Sequence, residues 1–289
     1  MTLQKLRDNK RIKYLILLPV YILVIYLIWS NIPEIYYVDW VYGFRPAVWD
    51  MLKWQSPYNG HGVFNAPWTF VILLPLALFP PKVGALLLTL ISFFAILFIG
   101  IRLGASPIIA LSFLLIPQIS LKTITNPNID FLAAFGFILP AQIGLFFLAI
   151  KPQIGVGVAI FWLFEAWRDG GWKNVIKVFA PVSIALVISF LIFGPYFMLG
   201  FALTDHEATL HSYPLWPYAL PVGLALLSLA ITRREKNISI TASQFLSPYV
   251  ANYTYPFALL GLVKYRLIYW SAYVGVWLIY ILLRYSPIQ

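Results

Sequence analysis

Residues 83–101 read VGALLLTLISFFAILFIGI, a run without a single Asp, Glu, Lys or Arg. Wound as an α-helix at 1.5 Å per residue, such a stretch is about as long as the hydrocarbon core of a bilayer is thick. It is not isolated. Residues 13–30, 154–167, 175–193, 215–231 and 267–283 are apolar in the same way, interrupted only by Lys13, Glu165 and Lys177. Across the 289 residues, 61% are hydrophobic and 10% are charged. A soluble domain carries roughly a quarter of its residues as charges. Aromatics make up 18%, rich in Tyr and Trp, which favour the two membrane interfaces. These observations predict an all-α fold, a single polytopic transmembrane domain over 1–289 with no room for a sizeable soluble one.

Shorter apolar runs lie between the long ones, at 68–79, 107–116, 129–139 together with 142–150, 238–246 and 257–263. Pro80-Pro81, Pro117, Pro140 and Pro152 bound or interrupt them, because proline removes a helical donor and clashes one turn back. Counting the short runs gives about eleven spans, several of them short, kinked or broken. Irregular backbone at membrane depth persists only where protein buries it or a wet cavity borders it. No internal repeat and no linker divides the chain.

The net charge of +10 does not point to nucleic acid, because the basic residues sit at the ends of apolar runs and form no stripe. That is the distribution of positive-inside anchors, with membrane lipids as partners. It places the N-terminal cluster (Lys5, Arg7, Lys10, Arg11, Lys13), Lys82, the stretch 168–177, Arg233, Arg234, Lys236, Lys264 and Arg266 on the cytoplasmic side. The segment 14–29 is then an uncleaved first span of an inner-membrane, multi-pass protein with a cytoplasmic N-terminus. Residues 31–67 and 194–216 become the first and second external loops. There is no Cys, which removes disulfides, thiolate nucleophiles and Cys-based metal sites.

Within the first loop, 46–54 reads as an amphipathic surface helix, with Asp50 and Lys53 spaced as an i,i+3 pair. Asp39, just beyond the first span, has two readings: a general base for an acceptor hydroxyl, or a solvated loop carboxylate. In the second loop Asp205, His206, Glu207 and His211 cluster, but not at a helix-borne zinc spacing. They suit a substrate contact or a solvated loop, and no metal is called for. Lys151, in Lys151-Pro152-Gln153, has apolar helices on both sides. An ammonium at that depth is either a functional group facing a partner or a lysine snorkelling to the interface. Asn126-Pro127-Asn128-Ile129-Asp130 is a polar break in which Asp130 is available to pair with a cation.

Four stretches in this order resemble the C-type membrane glycosyltransferases (GT-C), and most closely glycosyltransferase family 87. They are Asp39-Trp40-Val41-Tyr42; Ser56-Pro57-Tyr58 followed by Phe64-Asn65-Ala66-Pro67 and Leu74-Pro75-Leu76-Ala77-Leu78-Phe79-Pro80; Lys151-Pro152-Gln153; and Leu246-Ser247-Pro248-Tyr249. The chain departs from the family pattern at Asn128-Ile129-Asp130, where relatives often show Gly-Gln, and it is shorter than typical members. The resemblance implies a GT-C-like fold and transfer of a hexose such as mannose from a polyprenyl-phosphate donor on the outer face. Asp39 would be the catalytic base, and Lys151 with Arg45 would hold the donor phosphate. Tyr58, His61, Asn65, His206 and Tyr249 would contact sugar or acceptor, with no cofactor. Two rival readings are a non-catalytic polytopic subunit held in a complex by a protein partner, and a transporter.

Overall fold

The computed structural model describes residues 29–33, 36–196, 215–251 and 253–285, with isolated positions between 19 and 27. Every regular element among them is helical. In chain order these are α1 (Arg45–Leu52), α2 (Trp68–Ala77), α3 (Pro81–Arg102), α4 (Pro107–Ser112), α5 (Pro117–Thr125), α6 (Asp130–Phe135), α7 (Ala141–Leu148), α8 (Pro152–Phe193), α9 (Leu220–Arg233), α10 (Lys236–Leu246) and α11 (Arg266–Tyr285). A π-helical turn, Asp39–Phe44, leads into α1, and a 3₁₀ segment, Tyr255–Leu262, follows α10.

Proline decides where most of these helices begin. It occupies the first turn of α1, α3, α4, α5, α8 and α9, where its missing N–H has no partner to lose. At Pro117 the chain bends by 56° between Pro107–Leu115 and Pro117–Thr125. From 107 to 150 the apolar runs thus become a chain of short helices. Two described helices, Pro81–Arg102 and Pro152–Phe193, are long and apolar enough to cross a membrane, and the bent pair makes a third if it acts as one span. That is fewer than the roughly eleven expected from hydropathy. The reason is length: α2, α5, α6 and α7 have six to ten residues each, about 9–15 Å of helix. Most of the expected first span, 13–30, lies outside the described residues.

The 42-residue α8 is not one rod. Gly170 (φ −173°, ψ 20°) and Gly171 (φ 62°, ψ −154°) leave helical geometry, and glycine adopts the positive φ without strain. Its two ends are linked through the first loop. Ile150 O, just before α8, accepts from Asn65 Nδ2; Asn65 O accepts from Tyr58 Oη; and the Tyr58 ring packs edge-on against Phe193, the last residue of α8. Both ends therefore meet, and the helix doubles back at the glycine pair.

Trp40 fastens the first loop to α3. It is fully buried, its indole Nε1 donates to Pro81 O at 2.9 Å, and its ring lies so close to Gly84 that a Cβ there would come within 2.7 Å of it. Lys82 belongs to this end too: its ammonium lies 5.1 Å from the Trp29 ring centre and donates to Ser30 O. Lys82 was expected on the side opposite the first external loop, but it lies at the same end of α3 as that loop's Trp40. At the other end of α3, Asn237 Nδ2 donates to Leu103 O, bringing the start of α10 there. Arg168 Nη1 donates to Ile231 O, bringing the α8 turn beside the end of α9. The 22 residues of α3 thus separate an Asp39 end from a basic end by about 33 Å. Ser112 and Tyr269 hydroxyls, 2.6 Å apart in the core, tie α4 to α11.

The surface helix begins at Arg45 and ends at Leu52, with Ala47 and Val48 buried. They pack on the protein, chiefly α2, and of its large apolar side chains Leu52 and the flanking Trp54 stay exposed.

Two outcomes follow. Gly84→Val forces Trp40 off its seat and costs about 1–3 kcal/mol, the usual penalty of overpacking, read as a lower melting point in detergent. Because the chain has no native cysteine, Gln55→Cys and Lys173→Cys report cleanly, and an impermeant thiol reagent labels them from opposite faces of sealed vesicles.

Candidate functional site

Two polar side chains far apart in sequence, Asp39 and Lys151, meet through one amide. Asn128 Nδ2 donates to Asp39 Oδ2 at 2.5 Å, and Asn128 Oδ1 accepts from Lys151 Nζ at 2.7 Å. The orientation of this amide is forced, since the reverse would set oxygen against carboxylate and NH2 against ammonium. Asn128 Oδ1 also accepts from the Ile129 backbone N–H, and Asn126 Oδ1 accepts from the Asp39 backbone N–H at 2.8 Å. The Asn126-Pro127-Asn128 turn therefore holds Asp39 by both its backbone and its side chain.

Lys151 is buried and 2.5 Å from Asp130 Oδ1, which is buried with it. Charges removed from water cost several kcal/mol each unless they are paired and hydrogen bonded. Three partners surround the ammonium: Asp130 as its counter-ion, Asn128 as its hydrogen-bond acceptor, and the Tyr253 ring, whose centre is 5.3 Å away. Lys122 Nζ lies 5.1 Å from the same ring. Burial pushes the Tyr253 phenol well above its ordinary value, and the nearby Asp130 and Asp39 carboxylates push it the same way, so it stays protonated. Asp39 itself is half-exposed, and its Oδ1 has no protein partner among the described residues.

Beside this cluster runs a cleft lined by Gln118, Lys122, Asn126, Asn128, Asp130 and Tyr253. Gln118 Oε1 is buried there without a partner among the described residues. The cleft thus offers the Lys122 ammonium and the unsatisfied Gln118 amide oxygen, with Asp130, the partner of Lys151, in its wall.

The other expected site residues divide. Tyr249 lies close enough to feel the charges of Lys151, Asp130 and Asp39 and joins the cluster's rim. Asn65 is spent on Ile150 O, the carbonyl just before Lys151, so it positions that lysine rather than meeting a ligand through this group. Tyr58 is buried and stacked on Tyr196 at 4.4 Å, a packing residue. His61 Nε2 sits 2.7 Å from Asp50 Oδ2, so Asp50 pairs with His61 and not with Lys53. Arg45 donates to Phe79 O and lies 5.9 Å from the Trp49 ring centre, contacts that do not reach Lys151. His206 and the rest of the second external loop lie outside the described residues. No group of three His, Asp or Glu is placed to hold a metal among the described residues.

Sequence reasoning marked the 126–130 break but assigned no role to Asn126 or Asn128, and it did not single out Lys122 or Tyr253. The available signal was two asparagines around a proline inside an apolar stretch. Comparison with family models, with curated proteins and with solved structures finds no match.

Removing one half of the buried pair leaves the other charge stranded. Lys151→Met is expected to cost about 3–5 kcal/mol, and adding Asp130→Asn to recover part of that loss, measured by denaturation in detergent.

Proposed function

We propose that the chain is a membrane glycosyltransferase that moves a hexose, mannose in the first instance, from a polyprenyl-phosphate donor to an acceptor hydroxyl on the outer face of the inner membrane. One observation carries the reading: a half-exposed carboxylate, Asp39, and a buried ammonium, Lys151, are held on the two ends of the Asn128 amide. Transfer needs a base for the incoming hydroxyl and positive charge for the departing phosphate, and such a pair supplies both. Asp39 Oδ1 takes the acceptor proton as the hydroxyl oxygen bonds to the anomeric carbon. The bond from that carbon to the phosphate oxygen breaks, and the electron pair leaves with polyprenyl phosphate. Lys151 stabilises the anion, and Lys122, which faces the same Tyr253 ring, takes the second cationic role that the sequence suggested for Arg45. No step needs a metal. The motif order that resembles family 87 supports the same reading.

In this proposal the chain is polytopic and GT-C-like. α3 and both arms of α8 cross the membrane, and the short proline-bounded helices are re-entrant elements rather than full spans. The Asp39 end faces outward and the basic end faces the cytoplasm, since Arg102, Arg168, Lys173, Lys177, Arg233, Arg234, Lys236, Lys264 and Arg266 gather there. The N-terminal cluster then lies on the cytoplasmic side, because Trp29 and Ser30 sit at the Asp39 end.

A second reading rests on the Lys151–Asp130 pair itself. That lysine already has a counter-ion, as in a structural latch, which suits a non-catalytic subunit of a membrane complex. Sugar transfer from radiolabelled polyprenyl-phosphate-mannose and polyprenyl-phosphate-glucose separates the two. On the enzyme reading Asp39→Asn lowers transfer by about 10²–10⁴-fold while the melting point holds. Full activity in that variant, or no transfer by well-folded wild type with either donor, favours the subunit.

A further inference from the structure

The end of the molecule away from Asp39 carries a cleft whose charge is out of balance. Arg102 closes α3, Arg233 ends α9 with Arg234 beyond it, Lys236 opens α10, and Lys264 precedes α11; all five line the cleft, and Glu235 is the one acid lining it. Glu235 lies 3.8 Å from Lys264, and Arg234 lies 3.9 Å from Glu165. Arg102, Arg233 and Lys236 have no carboxylate within 4.0 Å among the described residues.

These cations are assembled rather than scattered. Arg234 adopts a left-handed conformation (φ 53°, ψ 40°) that turns the chain sharply from α9 into α10. Asn237 is fixed to Leu103 O, which sets the start of α10 against the end of α3. The Lys264 stem lies along Gly104, where a Cβ would meet Cγ at 3.1 Å. Burial pushes the Lys236 ammonium below its ordinary value, and the Lys264 charge adds to this. The first turn of α10 has no side-chain cap, so its N–H groups and the positive end of its dipole add to the same field. Anchors that only mark a cytoplasmic face have no reason to converge from four elements at such cost.

We propose that this cleft is a binding site for the headgroup of an anionic phospholipid, with the phosphate between Arg233 and Lys236 over the first turn of α10. A lipid fits better than a soluble phosphate because the cleft sits at the end of the membrane-crossing α3. Ile101 at that end, and Leu267 and Ile268 at the start of α11, present exposed apolar surface of the kind acyl chains cover. Basic pockets between helices on the cytoplasmic side recognise such headgroups by charge. The inference is independent of the glycosyltransferase reading and requires only that α3 cross the bilayer.

The test uses the full chain in nanodiscs of phosphatidylcholine, alone or with phosphatidylglycerol. Native mass spectrometry reads retained lipid, and thermal unfolding reads its effect. The expected result is retention of phosphatidylglycerol about tenfold or more over phosphatidylcholine, with a higher melting point. R233Q/K236Q removes the preference, whereas K173Q/K177Q, which deletes the same charge from exposed positions on the same face, keeps it. Equal retention of the two lipids overturns the proposal. So does equal loss in both double variants, which would mean general interfacial attraction. A matching rise in melting point from inorganic phosphate in pure phosphatidylcholine discs overturns the assignment to a lipid. Should R233Q/K236Q fail to fold, the wild-type comparison and the milder R102Q decide.

Discussion

A lysine buried among apolar helices must be neutralised, and the architecture around Lys151 follows from that requirement. The cost of holding an ammonium away from water is several kcal/mol, more than any single apolar contact returns. Asp130 supplies the charge, Asn128 the second acceptor and Tyr253 the ring face that closes the shell. The partners come from the 126–130 break and from the loop after α10, so meeting the demand of one side chain fixes the relative positions of α6, the start of α8 and that loop. Asp39 is drawn in through the same amide, which sets a half-open carboxylate beside the buried pair. A cluster built to satisfy one charge thereby places a potential base and a potential phosphate ligand within one network.

Punctuation by proline and glycine makes that meeting possible. Short helices between Pro107 and Lys151 let the chain turn repeatedly, so that Asn126, Asn128 and Asp130 present themselves from a break instead of a continuous helix wall. The glycine pair in α8 returns the chain toward its start and packs Phe193 against Tyr58, which in turn steadies Asn65 against the carbonyl ahead of Lys151. Residues that look like ligand contacts in the linear sequence, Tyr58 and Asn65, are thus part of the frame. Their aromatic and amide groups have been taken up by internal partners.

The distribution of charge along α3 gives the molecule two unlike ends. One holds a compensated network of two carboxylates and two ammonium groups beside a cleft. The other gathers cations with too few acids to match them. In a membrane the two ends meet different surroundings, and the second kind of end is stable only with anions nearby, whether diffuse counter-ions or lipid phosphates.

Composition and the long apolar runs were enough to indicate a helical chain with segments long and apolar enough to cross a membrane, because apolar length is a local property that needs no tertiary context. The break at 126–130 was legible for the same reason. The number of crossings was not, since hydropathy cannot distinguish a ten-residue helix that traverses from one that turns back inside a protein wall. Nor were the pairings. Asp130 with Lys151, Asn128 between Lys151 and Asp39, and His61 with Asp50 in place of Lys53 are all contacts between residues distant along the chain. Local sequence determines which groups must find partners; only the packing of the helices decides which partners lie within reach.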